Sequence, residues 1–231
     1  MSYLERLFRA TEDENRRVIL SVMDPRPGAS LLDLGCGDGA WTMKVARHVG
    51  AEKVLGVEFI EEFAAAAGSA GVDVVAGDLG DPLPLEDGSV DVVHSNQVIE
   101  HVPKTDAFMR EIARVLKPGG YAVVSTNNLS SWHNIVSLSV GWQPTPCHVS
   151  DEVIVGNPGN FVEGMESYAP GQTHLRIFTG RALAGLAAHH GLRADLELGA
   201  GYYPLPPRAA SRLARLDPVH AAFLVQRYER A

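Results

Sequence analysis

The chain has 231 residues, 45% of them hydrophobic, which is enough to bury one sizeable core and short for two. Its net charge of −8 at pH 7 argues against a surface that holds nucleic acid through counterion release, so no nucleic-acid partner is expected. Two cysteines, Cys36 and Cys147, make no disulfide framework and fit a reducing, cytoplasmic setting. Residues 1–17 alternate charge with Leu4, Leu7 and Phe8, unlike a signal peptide, and no later run reaches membrane-spanning length, so no stable membrane insertion is expected.

Residues 1–28 read as an N-terminal helical segment. Thr11 to Glu14 fits a capping box, Val18, Ile19 and Val22 follow at helical spacing, and Asp24-Pro25-Arg26-Pro27-Gly28 marks entry to a main domain over 29–231. Leu31 to Leu34 is an apolar strand holding one acid, Asp33. It runs into the turn Gly35-Cys36-Gly37-Asp38-Gly39 and then a helix from Trp41 to Val49. Lys53 to Glu58 is a second strand ending in an acid. Phe59 to Ala67 is an Ala-rich helix with Gly68 near its stop, and Val72 to Ala76 is a third strand followed by Gly77-Asp78-Leu79.

After an acidic Pro/Gly loop, Val90 to Ser95 forms a fourth strand. Thr105 caps a helix with Phe108, Ile112 and Val115 on one face, Lys117 to Gly120 turns, and Tyr121 to Thr126 is a fifth strand. Strands alternating with helices at this spacing predict parallel βαβ units, an α/β fold. From Asn127 to Phe178 the pattern breaks into Gly, Pro, Asn, Ser and aromatics, which predicts a lid or substrate-cap insertion after strand five. Thr179 to His190 restores a helix stopped by Gly191. Leu192 to Leu198 and Val219 to Tyr228 are two last strands around an insertion at Gly201 to Asp217.

A glycine turn between strand and helix is shared by several nucleotide-type sites. Here the glycines run Gly-x-Gly-x-Gly rather than Gly-x-Gly-x-x-Gly, and Asp33 precedes them, unwelcome beside a pyrophosphate but suited to a ligand bearing an ammonium and a sulfonium. Six ordered motifs, Leu32–Gly39, Gly56-Val57-Glu58, Gly77-Asp78-Leu79, Asp87–Val93, Val98–Val102 and Leu116–Gly120, resemble the class I S-adenosylmethionine-dependent methyltransferases. The resemblance is to their small-molecule branch, related to the ubiquinone/menaquinone biosynthesis (type 11) methyltransferases. It implies a Rossmann-like, doubly wound seven-stranded sheet, mostly parallel with an antiparallel last strand, and S-adenosyl-L-methionine as cofactor. It further implies that Gly35, Cys36 and Gly37 let backbone approach the methionine part, with Asp33 in support directly or through water. Glu58 would hold the ribose hydroxyls, Asp78 the adenine amino group, Leu79 and Phe59 the ring, and Asn96 the methionine end.

Methyl transfer is an in-line displacement at an activated sulfonium, so alignment supplies much of the rate and a base is needed only for a protonated nucleophile. His174, His133 and His101 are the catalytic candidates, in that order, with His148 in the lid. No paired spacing suggests a metal site, and adjacent His189 and His190 are expected to point apart. Cys147 reads as an ordinary loop thiol, and Trp132, Trp142, Phe161 and Tyr168 as liners of a flat or greasy acceptor pocket or as glue for the lid. A small-molecule acceptor methylated on oxygen, nitrogen or carbon is the leading expectation. Cyclisation or decarboxylation on the same fold, and a non-catalytic cofactor-binding subunit, remain the alternatives. The sequence sets no oligomeric state.

Overall fold

The computed structural model describes residues 3–160, 162 and 173–230. Helices α1 (Tyr3–Ser21), α2 (Ala40–Val49), α3 (Glu61–Ala70), α4 (Thr105–Val115), α5 (Trp132–Ser139), α6 (Gly180–His189) and α7 (Pro207–Leu216) surround one sheet. Its strands are β1 (Ala29–Leu34), β2 (Ala51–Glu58), β3 (Asp73–Ala76), β4 (Val90–Asn96), β5 (Leu116–Asn127), β6 (Leu192–Ala200) and β7 (Phe223–Arg230), in the order β3-β2-β1-β4-β5-β7-β6. The pairs among β1 to β5 are parallel, and β7 runs antiparallel to both its neighbours. This is the expected doubly wound sheet with an antiparallel last strand.

A parallel sheet covered on both faces needs strands apolar on both sides, and β1 is buried at every position. Leu31 packs with Val92, Tyr121 and Val123 under α1 and α2, through Ile19, Val45 and Val49. Its neighbours Leu32 and Leu34 face the other layer, with Phe108, Ile112 and Val115 of α4 and Leu183 of α6. The strand order reverses between β1 and β4, so the crevice at their carboxyl ends is the switch point where such sheets bind ligands.

Several local readings are corrected. The proposed cap at Thr11 lies inside α1, buried, because the helix begins eight residues earlier, at Tyr3. The α4 N-cap is Lys104, with Thr105 already helical. Gly68 continues α3, and Gly71, left-handed at φ 101°, stops it. Lys117 to Gly120 is counted within β5 but loops out of register, Val90 pairing Leu116 and Val92 pairing Tyr121. The stretch 201–217 contains α7, and the last strand starts at Phe223, after a short 3-10 turn at Pro218–His220. The His189 and His190 rings meet edge-on, 4.9 Å apart, because His190 already lies beyond the end of α6.

The amino ends of the central strands are tied by Asp91. Its Oδ2 accepts from the Ser30 amide at 2.9 Å and hydroxyl at 2.6 Å, and the Lys117 ammonium lies 2.7 Å away. Burial opposes its ionisation, but Lys117 and Ser30 outweigh that and hold the carboxyl down at about 2, against 3.8 ordinarily. A depressed carboxyl stabilises the fold above its unfolded pKa and loses that contribution as pH falls through the folded one. Asp91→Asn is therefore expected to cost about 1–2 kcal/mol at pH 7, discounted for partial exposure, with the deficit vanishing between about pH 4 and 2. Urea titrations across that range check this, and a pH-independent deficit would remove the ion pair as its cause.

Candidate active site

The turn leaving β1 is built on backbone that only glycine adopts easily. Gly35 has φ 78°, and a Cβ there would stand 2.5 Å from Val98 Cγ2; Gly39 has φ 77°, with Ala67 Cα 2.9 Å from the same hypothetical atom. The turn thereby lies directly against the Val98 segment after β4 and against α3. From the adjacent strand end, Glu58 reaches into it: Oε2 accepts from the Gly37 amide and Oε1 from the Ile60 amide, each at 2.9 Å.

Asp33 supports this turn from beneath. Its carboxylate is 2% exposed, accepting from Thr42 Oγ1 at 2.5 Å and from His94 Nδ1 at 2.7 Å. Thr42 Oγ1 also lies 3.3 Å from the Cys36 carbonyl, and Trp41 Nε1 donates to His94 Nε2 at 3.4 Å. Neither Asp33 nor Cys36 lines the cavity above, and Cys36 packs inward on Ala67 and Val72. Burial first, then the Asp33 and Glu58 carboxylates, push its thiol up to about 12. Asp33 thus holds the turn from beneath through Thr42 and His94, and the Cys36 side chain points away from the cavity.

The other expected cofactor residues do meet. Gly35, Gly37, Glu58, Phe59, Asp78, Leu79 and Asn96 line one cavity of about 1330 Å³. Phe59 stands at its rim, 73% exposed. Asp78 Oδ1 accepts from the Gly80 amide at 2.7 Å, and the loop beyond is anchored by Arg114, which donates to the Leu83 and Leu85 carbonyls at 2.9 and 2.6 Å. Asn96 Oδ1 accepts from Asn15 Nδ2 on α1 at 2.9 Å, and Asn15 Oδ1 accepts from Ser125 Oγ at 2.9 Å.

The same cavity is also lined by all four weighed histidines, His101, His133, His148 and His174, and by Trp132 and Trp142. Asn128 and Phe178 pair at the two ends of segment 127–178, closing it as a loop around α5. Phe161 and Tyr168 lie outside the described residues. His101 and His174 ring centres are 4.9 Å apart, and His148 stacks on His174 at 4.5 Å and 5°. Burial pushes His133 down to about 4. It likewise pushes His174 to about 3, against a bond to the Pro146 carbonyl. Both rings are neutral at pH 7.

Three features escaped the sequence. The first helix contributes Leu4, Phe8 and Glu12 to the cavity, which no local pattern signals. Gln97 adopts φ 57°, alone among described non-glycine residues, and its buried Nε2 has no hydrogen-bond partner among them. Finally, the histidine spacing predicts no metal site, yet one ligand-type atom from each of Glu100, His101 and His174 lies within 4.8 Å of the others.

A glycine turn, a strand-end carboxylate and a second acid around a switch-point crevice define the Rossmann-like, S-adenosylmethionine-dependent methyltransferase class. Residues 32–124 match a family profile described as "Methyltransferase domain", and this stretch is such a domain, with S-adenosyl-L-methionine as its cofactor. A probable S-adenosylmethionine-dependent methyltransferase of Mycolicibacterium smegmatis is 35% identical over 71% of this chain and 61% of its own. Demethylmenaquinone methyltransferase of Bacillus mycoides is 33% identical over 47% of this chain and 48% of its own. The chain thus spans about half of the curated relatives it matches. A solved Thermotoga maritima protein, described as an S-adenosylmethionine-dependent methyltransferase and possible histamine N-methyltransferase, superposes with TM-score 0.65 at 21% identity, over 99% of this chain and 94% of that one.

The close approach at Gly35 is directly testable. Gly35→Ala adds left-handed strain and a clash with Val98, and is expected to cost about 1–3 kcal/mol in urea unfolding. Adding Val98→Ala should return the steric part alone; wild-type stability in Gly35→Ala would dismiss the close approach.

Proposed function

We propose that the protein is a methyltransferase that transfers a methyl group from S-adenosyl-L-methionine to a small-molecule acceptor on a biosynthetic route. The observation that carries this is one cavity lined both by the glycine turn with Glu58 and Asp78 and by four histidines with Trp132 and Trp142. Its volume, about 1330 Å³, exceeds the roughly 300–1,000 Å³ usual for a single ligand, leaving room for donor and acceptor together. The acidic, glycine-edged half suits the donor, and the unpaired Gln97 amide nitrogen is a buried donor awaiting a ligand oxygen at the junction.

When bound, the cofactor supplies an electrophilic methyl carbon on a sulfonium. The chain's own contribution is alignment and desolvation: Glu58 and Asp78 fix the nucleoside, Gly35, Gly37 and Asn96 the methionine end, and Trp132 and Trp142 wall the acceptor. Segment 127–178 acts as the substrate cap. His133 faces the acceptor as a neutral hydrogen-bond acceptor, its ring edge-on to Tyr203 at 5.1 Å. His101 and His174 line the same cavity.

Glu58→Ala should weaken S-adenosylmethionine binding about 10- to 100-fold by calorimetry, two charge-assisted hydrogen bonds being lost; unchanged affinity removes Glu58 from the ribose. His133→Ala should lower kcat at least about tenfold and leave cofactor affinity within about twofold. With His133 neutral well below pH 6, its loss should not reshape the kcat/KM profile between about pH 6 and 8. Absence of S-adenosylhomocysteine across an acceptor panel, despite tight cofactor binding, would overturn the methyltransferase reading.

A further inference from the structure

We propose that Glu100, His101 and His174 form a binding site for one divalent transition-metal ion in the wall of the acceptor half of the cavity. The function of such a site rests on the methyltransferase reading above; its existence does not.

The donor set is drawn from two distant parts of the chain. Glu100 and His101 belong to the short 3-10 turn Ile99–His101 after β4, and His174 lies at the end of the cap segment. Backbone bonds fix their relation: the Leu175 and Arg176 amides donate to the Glu100 carbonyl at 2.7 and 3.3 Å. Arg176 then clamps the Val102 and Pro103 carbonyls at 3.3 and 2.8 Å. Main-chain packing thus brings the two stretches together.

Each candidate ligand is also oriented from behind. His101 Nδ1 lies 3.2 Å from the Thr173 carbonyl, and His174 Nδ1 lies 2.9 Å from the Pro146 carbonyl. A carbonyl only accepts, so each ring donates to it through Nδ1. Glu100, fully buried, accepts from Thr126 Oγ1 at 2.8 Å and Asn127 Nδ2 at 3.2 Å. Backbone carbonyls behind imidazoles and hydrogen-bond donors behind a carboxylate are the outer contacts that fix ligand orientation in metal sites. One ligand-type atom from each residue lies within 4.8 Å of the others, and bonds of about 2 Å require roughly 3–3.5 Å, a closure of at most about 1.3–1.8 Å.

Two imidazoles and one carboxylate select zinc, iron, manganese or cobalt over magnesium or calcium, which prefer all-oxygen sites. Only three protein ligands converge among the described residues, so the remaining positions open to the cavity that both histidines line. An acceptor class follows: a molecule offering a hydroxyl oxygen to the cation, its proton passing to water at a pH below its usual pKa. This also explains why a fully buried carboxyl stands behind two imidazoles at the end of β4, where a packing role would favour an apolar side chain.

The test uses the full chain, stripped with a chelator and titrated with Zn²⁺ and Co²⁺. We expect one ion per chain with micromolar or tighter affinity, and Co²⁺ giving the visible absorption of a low-coordinate nitrogen/oxygen site. Glu100→Gln and His174→Ala should each weaken Zn²⁺ binding at least tenfold while keeping S-adenosylmethionine affinity within about twofold, which shows that the fold survives. Absence of saturable Zn²⁺ binding below about 100 µM, or binding equally strong in both variants, overturns the site. Loss of cofactor binding in the wild-type chain would instead sink the methyltransferase reading and leave the metal result standing.

Discussion

Asp33 sits under the turn on which this molecule depends. A carboxylate at 2% exposure is costly unless its oxygens are used, and here both are, on Thr42 of the following helix and on His94 of the neighbouring strand. That network joins β1, α2 and β4 just beneath the left-handed glycines. With the sheet held there, the backbone above presses against Val98 and α3, and the Glu58 carboxylate seats on the Gly37 amide. The donor half of the cavity follows from this arrangement, because its remaining residues sit at the carboxyl ends of strands that the sheet already places side by side.

The histidine-lined part of the cavity is assembled on a different principle, from residues of α1, the turn after β4 and segment 127–178. Behind the cavity, Asn15 bonds from the first helix to Asn96 on β4 and to Ser125 on β5. Histidines separated by tens of residues become neighbours because Arg176 and two amides dock the end of that segment onto the backbone at residues 100–103. Polar groups thus do the joining in a region too irregular for strand or helix pairing.

The central fold was legible because its signals are local. Apolar runs of strand length, amphipathic helices and glycine turns at the right places predict an alternating parallel sheet, and all seven expected strands are present. Helix ends were less legible: Thr11 carries a capping pattern yet lies mid-helix, since α1 begins at Tyr3 and buries Leu7 ahead of it. Within the site, Glu58, Asp78 and Asn96, named through the family resemblance, line one cavity. That the Asp33 carboxylate bonds Thr42 and His94 and that the Cys36 side chain packs on Ala67 and Val72 is not encoded in residue order.

The sequence by itself determined the sheet, the switch-point turn and the cofactor class, because each rests on spacing within a few residues. Only the tertiary structure decided that Asp33 joins Thr42 to His94, that α1 lines the cavity, and that Glu100 and His101 meet His174. Those are contacts across tens to more than a hundred residues, set by how layers and cap pack, and periodicity along the chain carries no record of them.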